Sequence, residues 1–159
     1  QNRVGAISLV HEKLYGKLAT DSLDLGNYLE DLVRLLVHGK ERNGSKIQLE
    51  IHTESIKAAV DICIDAGLIV TELVSNALKY AILPRSAGLL RLILKKEGDA
   101  ICLLLEDDGP GFPDGFLPEG GSSLGFRLIN NILRRSRGTL ELLEGKGARV
   151  KVCFYQVSD

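Results

Sequence analysis

The sequence lacks a surplus of charge of either sign, because 20 lysines and arginines against 21 aspartates and glutamates leave a net charge of −1. A balanced chain has no net field to draw it to nucleic acid or to an anionic membrane surface. It also lacks any apolar run of about 18 residues, the length that spans a membrane, and we expect no signal peptide. We therefore expect that this chain is cytoplasmic and contacts neither nucleic acid nor membrane, whereas the full-length protein is either soluble or membrane-anchored.

Cysteine is scarce, and its arrangement argues against a zinc site or a disulfide framework. The three residues, Cys63, Cys102 and Cys153, are an odd number and form no C-x-x-C pair. We expect buried, reduced thiols in a cytosolic compartment. The chain also has no G-x-x-x-x-G-K-[ST] motif, so a P-loop nucleotide fold is not supported.

What remains is a chain of 159 residues, 45% apolar and 26% charged, which suits one globular domain. Apolar residues at helical spacing predict four helices, over residues 3–18, 24–38, 61–82 and 124–135. Asp24 is placed to cap the second helix, and Pro84 to end the third. Alternating apolar residues and turn signals predict five strands, over residues 47–51, 89–95, 100–106, 139–144 and 148–157.

The order of these elements predicts the fold class. Most strands come in hairpins, one of them turning at residues 97–99, while the helices cluster between the strands. This order favours an α+β two-layer sandwich, with a mixed, mostly antiparallel sheet and helices on one face. It differs from the simple alternation of strand and helix in a doubly wound sheet.

A first candidate motif lies on the third predicted helix, within E-L-V-S-N-A-L-K-Y. Glu72 and Asn76 are four residues apart and share a face, and Lys79 follows three residues later. A carboxylate and an amide on so apolar a helix are costly unless they have partners. An amphipathic helix whose polar stripe meets water explains the same residues equally well.

Two glycine-rich motifs follow. Asp107, Gly109 and Gly111 come directly after an apolar strand, as suits a site where main chain approaches a ligand closely, although D-G is also a common surface turn. Residues 120–127 open a helix whose N–H groups favour phosphate, or form a flexible loop with Ser122 or Ser123 as N-cap. The three motifs together, in this order, indicate more than any one of them.

These residues carry a resemblance that covers nearly the whole chain. Residues 72–80 resemble the asparagine box, residues 107–111 the D-x-G-x-G box and residues 123–126 the second glycine box of the ATP-binding catalytic domain of bacterial sensor histidine kinases. That domain has the Bergerat-type fold shared with gyrase, heat-shock chaperone and mismatch-repair ATPases. V-H-E-K-L-Y, at residues 10–15, is similar to the end of a second dimerisation helix. The resemblance therefore implies a helix remnant over residues 1–20 and a catalytic domain over residues 21–159.

The resemblance also implies roles for individual residues. Asp107 would accept a hydrogen bond from the adenine amino group, and Gly109 and Gly111 would leave room for the ring. Asn76 would bind Mg²⁺, and Glu72 would hold a metal-bound water or act as a base. Lys79 would offset phosphate charge, and residues 112–122 would form a lid. The remaining nucleotide contacts would come from Tyr80, Phe112, Ser123, Leu124, Gly125 and Phe126.

The implied function is transfer of the γ-phosphoryl group of ATP to a histidine. None of His11, His38 and His52 has the context of an acceptor, so we expect the acceptor in a dimerisation domain upstream of Gln1, and a response regulator as a further partner. Ser123 and Ala148 depart from the family pattern, which usually has glycine at the first position and threonine, with its hydroxyl, at the second. These departures leave open a nucleotide-binding regulatory module with decayed kinase activity. An anti-sigma-type serine kinase on the same fold is a third possibility, against which V-H-E-K-L-Y argues.

Overall fold

The computed structural model describes Ser8, Glu12 and residues 22–41, 43–119 and 123–155. Ser8 and Glu12 are helical, and the rest of the helix predicted over 3–18 lies outside the described residues. The helices in the described part of the chain are α1 (Leu25–Glu41), α2 (Val60–Ala77) and α3 (Leu124–Ser136). The strands there are β1 (Ser22–Asp24), β2 (Lys46–Thr53), β3 (Lys57–Ala59), β4 (Ala87–Glu97), β5 (Ala100–Asp107), β6 (Thr139–Leu142) and β7 (Arg149–Tyr155).

Five of the strands form one mixed sheet in the order β2-β4-β5-β7-β6. The β2–β4 pair is parallel and the other pairs are antiparallel. Alternate residues of the central strands, such as Leu92, Leu103 and Val152, are buried in a core shared with the helices. The predicted α+β two-layer sandwich is therefore confirmed.

The other face of the sheet carries a row of alternating charges. Glu50, Arg91, Glu106 and Arg149 lie at matching positions of four neighbouring strands. Arg91 is 3.0 Å from Glu50 and 3.6 Å from Glu106, and Arg149 is 2.7 Å from Glu106. A two-layer fold results because these charges leave only the opposite face apolar enough to be covered by helices.

The helix ends follow the sequence in one case and depart from it in another. Asp24 caps α1 as predicted, because its Oδ1 accepts a hydrogen bond from Asn27 N at 3.0 Å. The helix predicted over 61–82, however, is α-helical only to Ala77. A π-helical turn, Leu78–Ile82, and a 3₁₀ turn, Leu83–Arg85, carry the chain past Pro84. Leu83, directly before Pro84, keeps α-region dihedrals (φ −59°, ψ −41°). Pro84 has no N–H to donate to the carbonyl four residues earlier, which fits the end of regular α-helix in this stretch.

The prediction that all cysteines are reduced is wrong for two of them. Cys102 on β5 lies directly opposite Cys153 on β7, and the two form a disulfide with Cα atoms 4.1 Å apart. Residue spacing gave no sign of this bond because sheet register, not sequence proximity, brings the two together. Cys63 is the buried free thiol that was expected, and burial raises its pKa to about 12. In the described part of the chain, no helix has the length and apolarity needed to cross a membrane.

Candidate functional site

A cavity of about 680 Å³ lies between the C-terminal part of α2, the end of β5, the start of β7 and the loop that leads to α3. It is large enough for a nucleotide-sized ligand. Seven of the predicted site residues line it: Asn76, Tyr80, Asp107, Gly111, Phe112, Ser123 and Phe126. The other lining residues are Leu73, Ala77, Ala81, Leu105, Glu106, Pro110, Pro113, Asp114, Phe116, Ala148 and Val150.

Asp107 forms the floor of this cavity. It is the last residue of β5 and its exposure is only 9%. Its Oδ1 accepts hydrogen bonds from Gly109 N at 2.9 Å and from Ala148 N at 3.2 Å, and its own N–H donates to Ala148 O at 3.0 Å. No group of the described residues donates to Oδ2. Main chain thus fixes one carboxylate oxygen and leaves the other able to accept a further hydrogen bond.

Two glycines allow the main chain to close around that carboxylate. Gly147 has φ +79°, and a Cβ there would overlap the carbonyl of Asp107. Gly109 lies against Ala81 of the π-helical turn, so closely that a Cβ would overlap the methyl group of Ala81. Larger residues at either position would force the walls of the cavity apart.

The α2 side of the site holds the first motif. Asn76 is half-buried and lines the cavity wall. Glu72 does not line the cavity, but its Oε2 lies 2.9 Å from where a Cβ on Gly125 would be, so its carboxylate faces the start of α3. Lys79 is exposed and outside the lining, with its Nζ 5.1 Å from the ring centroid of Tyr80. The fold therefore places Glu72 beside the start of α3, Asn76 in the cavity wall and Lys79 outside the lining.

At the start of α3, Ser123 occupies the N-cap position with an ordinary extended backbone, φ −70°. Serine is therefore not strained where the resemblance leads one to expect glycine. Its carbonyl accepts from Arg127 N at 3.1 Å, but its hydroxyl makes no capping bond. Leu124 is 67% exposed and does not line the cavity, whereas Phe126 is buried in its inner wall.

The loop before α3 rests on aromatic contacts. The rings of Phe112 and Phe116 stack at 4.8 Å between centroids, and each meets Phe126 edge-on, at 5.8 Å and 5.3 Å. Asn130 Nδ2 on α3 donates to Pro118 O at 2.7 Å. These contacts hold the described part of the predicted lid beside the cavity.

Sequence reasoning missed some of these residues. Phe116 was one unnamed residue of a predicted lid, although an aromatic residue in a glycine- and proline-rich loop was a usable signal. Ala148 drew notice only because it lacks a hydroxyl, whereas it contributes its main-chain N–H to Asp107. That contact depends on the antiparallel pairing of β5 with β7, which no local pattern reveals.

Two families of known proteins match parts of this chain. Residues 61–157 match the family described as Histidine kinase-, DNA gyrase B-, and HSP90-like ATPase. Residues 1–39 match the family described as Histidine kinase. The first of these matches contains α2 except for its first residue, Val60, together with the cavity floor and α3, and it covers every residue that lines the cavity.

Individual relatives agree with these matches. The chain is 27% identical over 155 residues to Blue-light-activated histidine kinase 2 of Erythrobacter litoralis, which covers 94% of this chain and 41% of that protein. It is 26% identical over 147 residues to Alginate biosynthesis sensor protein KinB of Pseudomonas aeruginosa, covering 84% of this chain and 24% of that one. The chain therefore spans less than half the length of these two proteins.

A solved structure has the same fold. The histidine kinase domain of the Erythrobacter litoralis EL346 blue-light activated histidine kinase superposes with a TM-score of 0.84 at 24% identity. The match covers 97% of this chain and 73% of that one. The likeness confirms the fold class that the sequence resemblance implied.

Proposed function

This chain belongs to the Histidine kinase-, DNA gyrase B-, and HSP90-like ATPase family, and on that premise we propose that it is the ATP-binding catalytic domain of a two-component sensor histidine kinase. It transfers the γ-phosphoryl group of ATP to a histidine that lies outside residues 1–159. Residues 1–20 then belong to a dimerisation helix and residues 21–159 to the catalytic domain. The single observation that carries the proposal is the buried carboxylate of Asp107, with one oxygen held by main chain.

We propose that Asp107 recognises the adenine base. Its Oδ2 accepts a hydrogen bond from the exocyclic amino group of adenine, while Gly109 N and Ala148 N keep the carboxylate from turning away. A charged acceptor aimed at an N–H discriminates strongly against a base that presents an acceptor there. Gly111, Phe112 and Phe126 enclose the ring, and Tyr80 covers its edge.

Charge at the site explains why a metal ion is needed. Within the described residues, the charged residues that line the cavity are all acidic, namely Glu106, Asp107 and Asp114. The Glu106 side chain is paired with Arg91 and Arg149 on the other face of the sheet, so Asp107 and Asp114 are the acidic side chains left for the cavity. A triphosphate entering this field needs a cation, and oxygen donors of amide and carboxylate groups suit Mg²⁺. Asn76 would hold Mg²⁺ through its amide oxygen, and Glu72 would hold a metal-bound water or act as a base. When bound, Mg²⁺ neutralises charge on the transferred phosphoryl group.

The phosphates extend toward the start of α3 in this proposal. Main-chain N–H groups at Leu124 and Gly125 point out of the first turn, where a helix favours anions, and the unengaged hydroxyl of Ser123 adds a donor. Lys79 meets the outer phosphates from the rim. Transfer then depends on positioning and charge neutralisation, with no covalent intermediate on this domain.

The partners follow from this chemistry. A catalytic domain without an acceptor must meet a histidine-bearing dimerisation domain, and the match of residues 1–39 to a histidine kinase family supports the presence of that domain in the whole protein. The phosphoryl group then passes to a response regulator.

The test is a transfer assay with γ-labelled ATP. The chain is incubated with the dimerisation domain of its own full-length protein, with Asp107→Asn as the control variant. We expect label on the acceptor that is lost in acid and stable in alkali, as a phosphoramidate is, and much less label with the variant at an ATP concentration near the affinity of the wild type. Acid-stable label would indicate a serine kinase, and ATP binding without transfer would indicate a regulatory module; either result contradicts the proposal.

A further inference from the structure

Arg85 closes the 3₁₀ turn behind the cavity and bridges two chain segments. Its Nε donates to Ala81 O at 2.7 Å, and its Nη2 donates to Asp108 Oδ1 at 2.7 Å. The planar fork of an arginine suits such a bridge, because two donors reach two acceptors at once. Arg85 therefore ties the π-helical turn after α2 to the loop after β5.

Asp108 completes the bridge on the other side. Its Oδ1 also accepts from Leu89 N at 2.9 Å, at the start of the buried part of β4. This main-chain bond, followed by the contact with Arg85, holds the pKa of the Asp108 carboxyl below its usual range although burial opposes the shift. The carboxylate is therefore charged at neutral pH, and one oxygen connects β4, the 3₁₀ turn and the end of β5.

Neither residue lines the nucleotide cavity. Asp107 and Asp108 are consecutive in an extended segment, so their side chains point to opposite sides. Asp107 faces the cavity, whereas Asp108 and Arg85 line an open groove on the far side, with Gly88 between them. Any effect of Arg85 or Asp108 on a nucleotide must therefore pass through other residues.

The segments that the bridge connects meet at one tight contact inside the site. Gly109, which follows Asp108, packs against Ala81, whose carbonyl is bound by Arg85. Ala81 also lines the cavity, next to Asp107. The distance between the π-helical turn and the loop thus depends on this contact and on the bridge behind it.

We propose that Arg85 and Asp108 are positioning residues that hold Ala81 against Gly109 and thereby set the width of the base pocket beside Asp107. The inference rests on the proposed function, because it assigns the pocket to adenine. An exposed ion pair on its own contributes little. This pair differs because main chain is bound at both of its ends: the carbonyl of Ala81, which belongs to the wall of the pocket, and the N–H of Leu89, which fixes Asp108 to β4.

The experiment compares Arg85→Ala with Arg34→Ala. Arg34 pairs with Glu30 at 3.2 Å on α1, with exposures of 58% and 38%, against 44% and 35% for Arg85 and Asp108. We expect Arg85→Ala to lower the affinities for ATP and adenosine by the same factor, roughly tenfold, as the loss of one charge-assisted bond would. The control variant should bind both ligands as the wild type does.

A double-variant cycle tests whether the two residues act together. Asp108→Ala combined with Arg85→Ala should bind ATP no more weakly than the worse single variant, since the bridge is already broken. If the losses multiply, the two residues act separately and the proposal is overturned. Should Arg85→Ala not fold, Arg85→Lys serves instead, because lysine cannot bridge both acceptors.

The melting temperature separates a positioning role from a merely structural one. A variant that melts earlier but binds ATP and adenosine as tightly as the wild type would overturn the inference and leave the proposed function intact. A wild-type chain that binds no ATP would overturn the proposed function, and the inference with it.

Discussion

The two ends of the cavity differ in what builds them. At the base end, defined by Asp107, Gly109, Gly147 and Ala148, main-chain hydrogen bonds and glycine contacts fix the geometry. At the lid end, residues 110–119, the loop is held by stacked side chains and by the bond from Asn130.

Because of this difference, the two ends differ in how easily they can rearrange. At the base end, main chain hydrogen-bonds to a buried carboxylate from two sides. Any other arrangement would leave buried polar groups without partners and would therefore be much higher in energy. Aromatic contacts in a loop with Pro113, Asp114 and Leu117 exposed tolerate rearrangement more easily. We therefore expect substitutions at the base end to have large and specific effects, and substitutions at the lid end to have small ones.

The largest effect is expected from Gly147→Ala. The new Cβ would overlap the carbonyl of Asp107, and φ +79° is unfavourable for alanine, so unfolding free energy should fall by about 3 kcal/mol and ATP binding should be lost. Denaturant titration measures the free energy of unfolding, and calorimetry measures the affinity for ATP. The control is Gly39→Ala, in α1, where a Cβ meets nothing within 4 Å. Wild-type stability and affinity in Gly147→Ala would show that the base end is less constrained than described.

Asp107→Asn should act on the ligand rather than on the fold. The amide oxygen can still accept from Gly109 N and Ala148 N, but the amide nitrogen would then face the adenine amino group, donor against donor. We expect ATP and adenosine to bind about 10- to 100-fold more weakly, with an unchanged melting temperature. Loss of folding instead would mean that Asp107 is chiefly structural.

Asn76→Ala should distinguish metal-dependent binding of the phosphates from recognition of the base. We expect ATP to bind about tenfold more weakly in the presence of Mg²⁺, while adenosine binds unchanged because it carries no phosphate. Calorimetric titrations with and without Mg²⁺ measure both. If Mg²⁺ strengthens ATP binding equally in the variant, another residue is the ligand.

The local features of the fold could be predicted from the sequence, whereas the long-range contacts could not. The cap at Asp24, the hairpin at residues 97–99 and the D-x-G-x-G motif are local, because turn chemistry and periodicity act over a few residues. The disulfide between Cys102 and Cys153 depends on sheet register across 51 residues. The bridge from Arg85 to Asp108 depends in the same way on how the 3₁₀ turn packs against the end of β5, and the sequence offered no signal for it.

The smallest effect is expected at the lid end, from Asn130→Ala. Loss of the bond to Pro118 O should change ATP affinity by a factor of roughly five or less and should speed proteolytic cleavage within residues 113–119. Asn131→Ala is the matched control, because the side chain of Asn131 is exposed and, among the described residues, its one side-chain hydrogen bond is accepted from Arg134 at 3.4 Å. An affinity loss as large as that of Asp107→Asn would abolish the contrast between the two ends.

The most direct measurement compares ATP with inosine triphosphate, which carries a carbonyl oxygen in place of the adenine amino group. The wild-type chain should bind ATP at least tenfold more tightly, and Asp107→Asn should lose or reverse that preference. Equal affinities of the wild type for the two nucleotides would contradict the assignment of Asp107 as the residue that recognises the base.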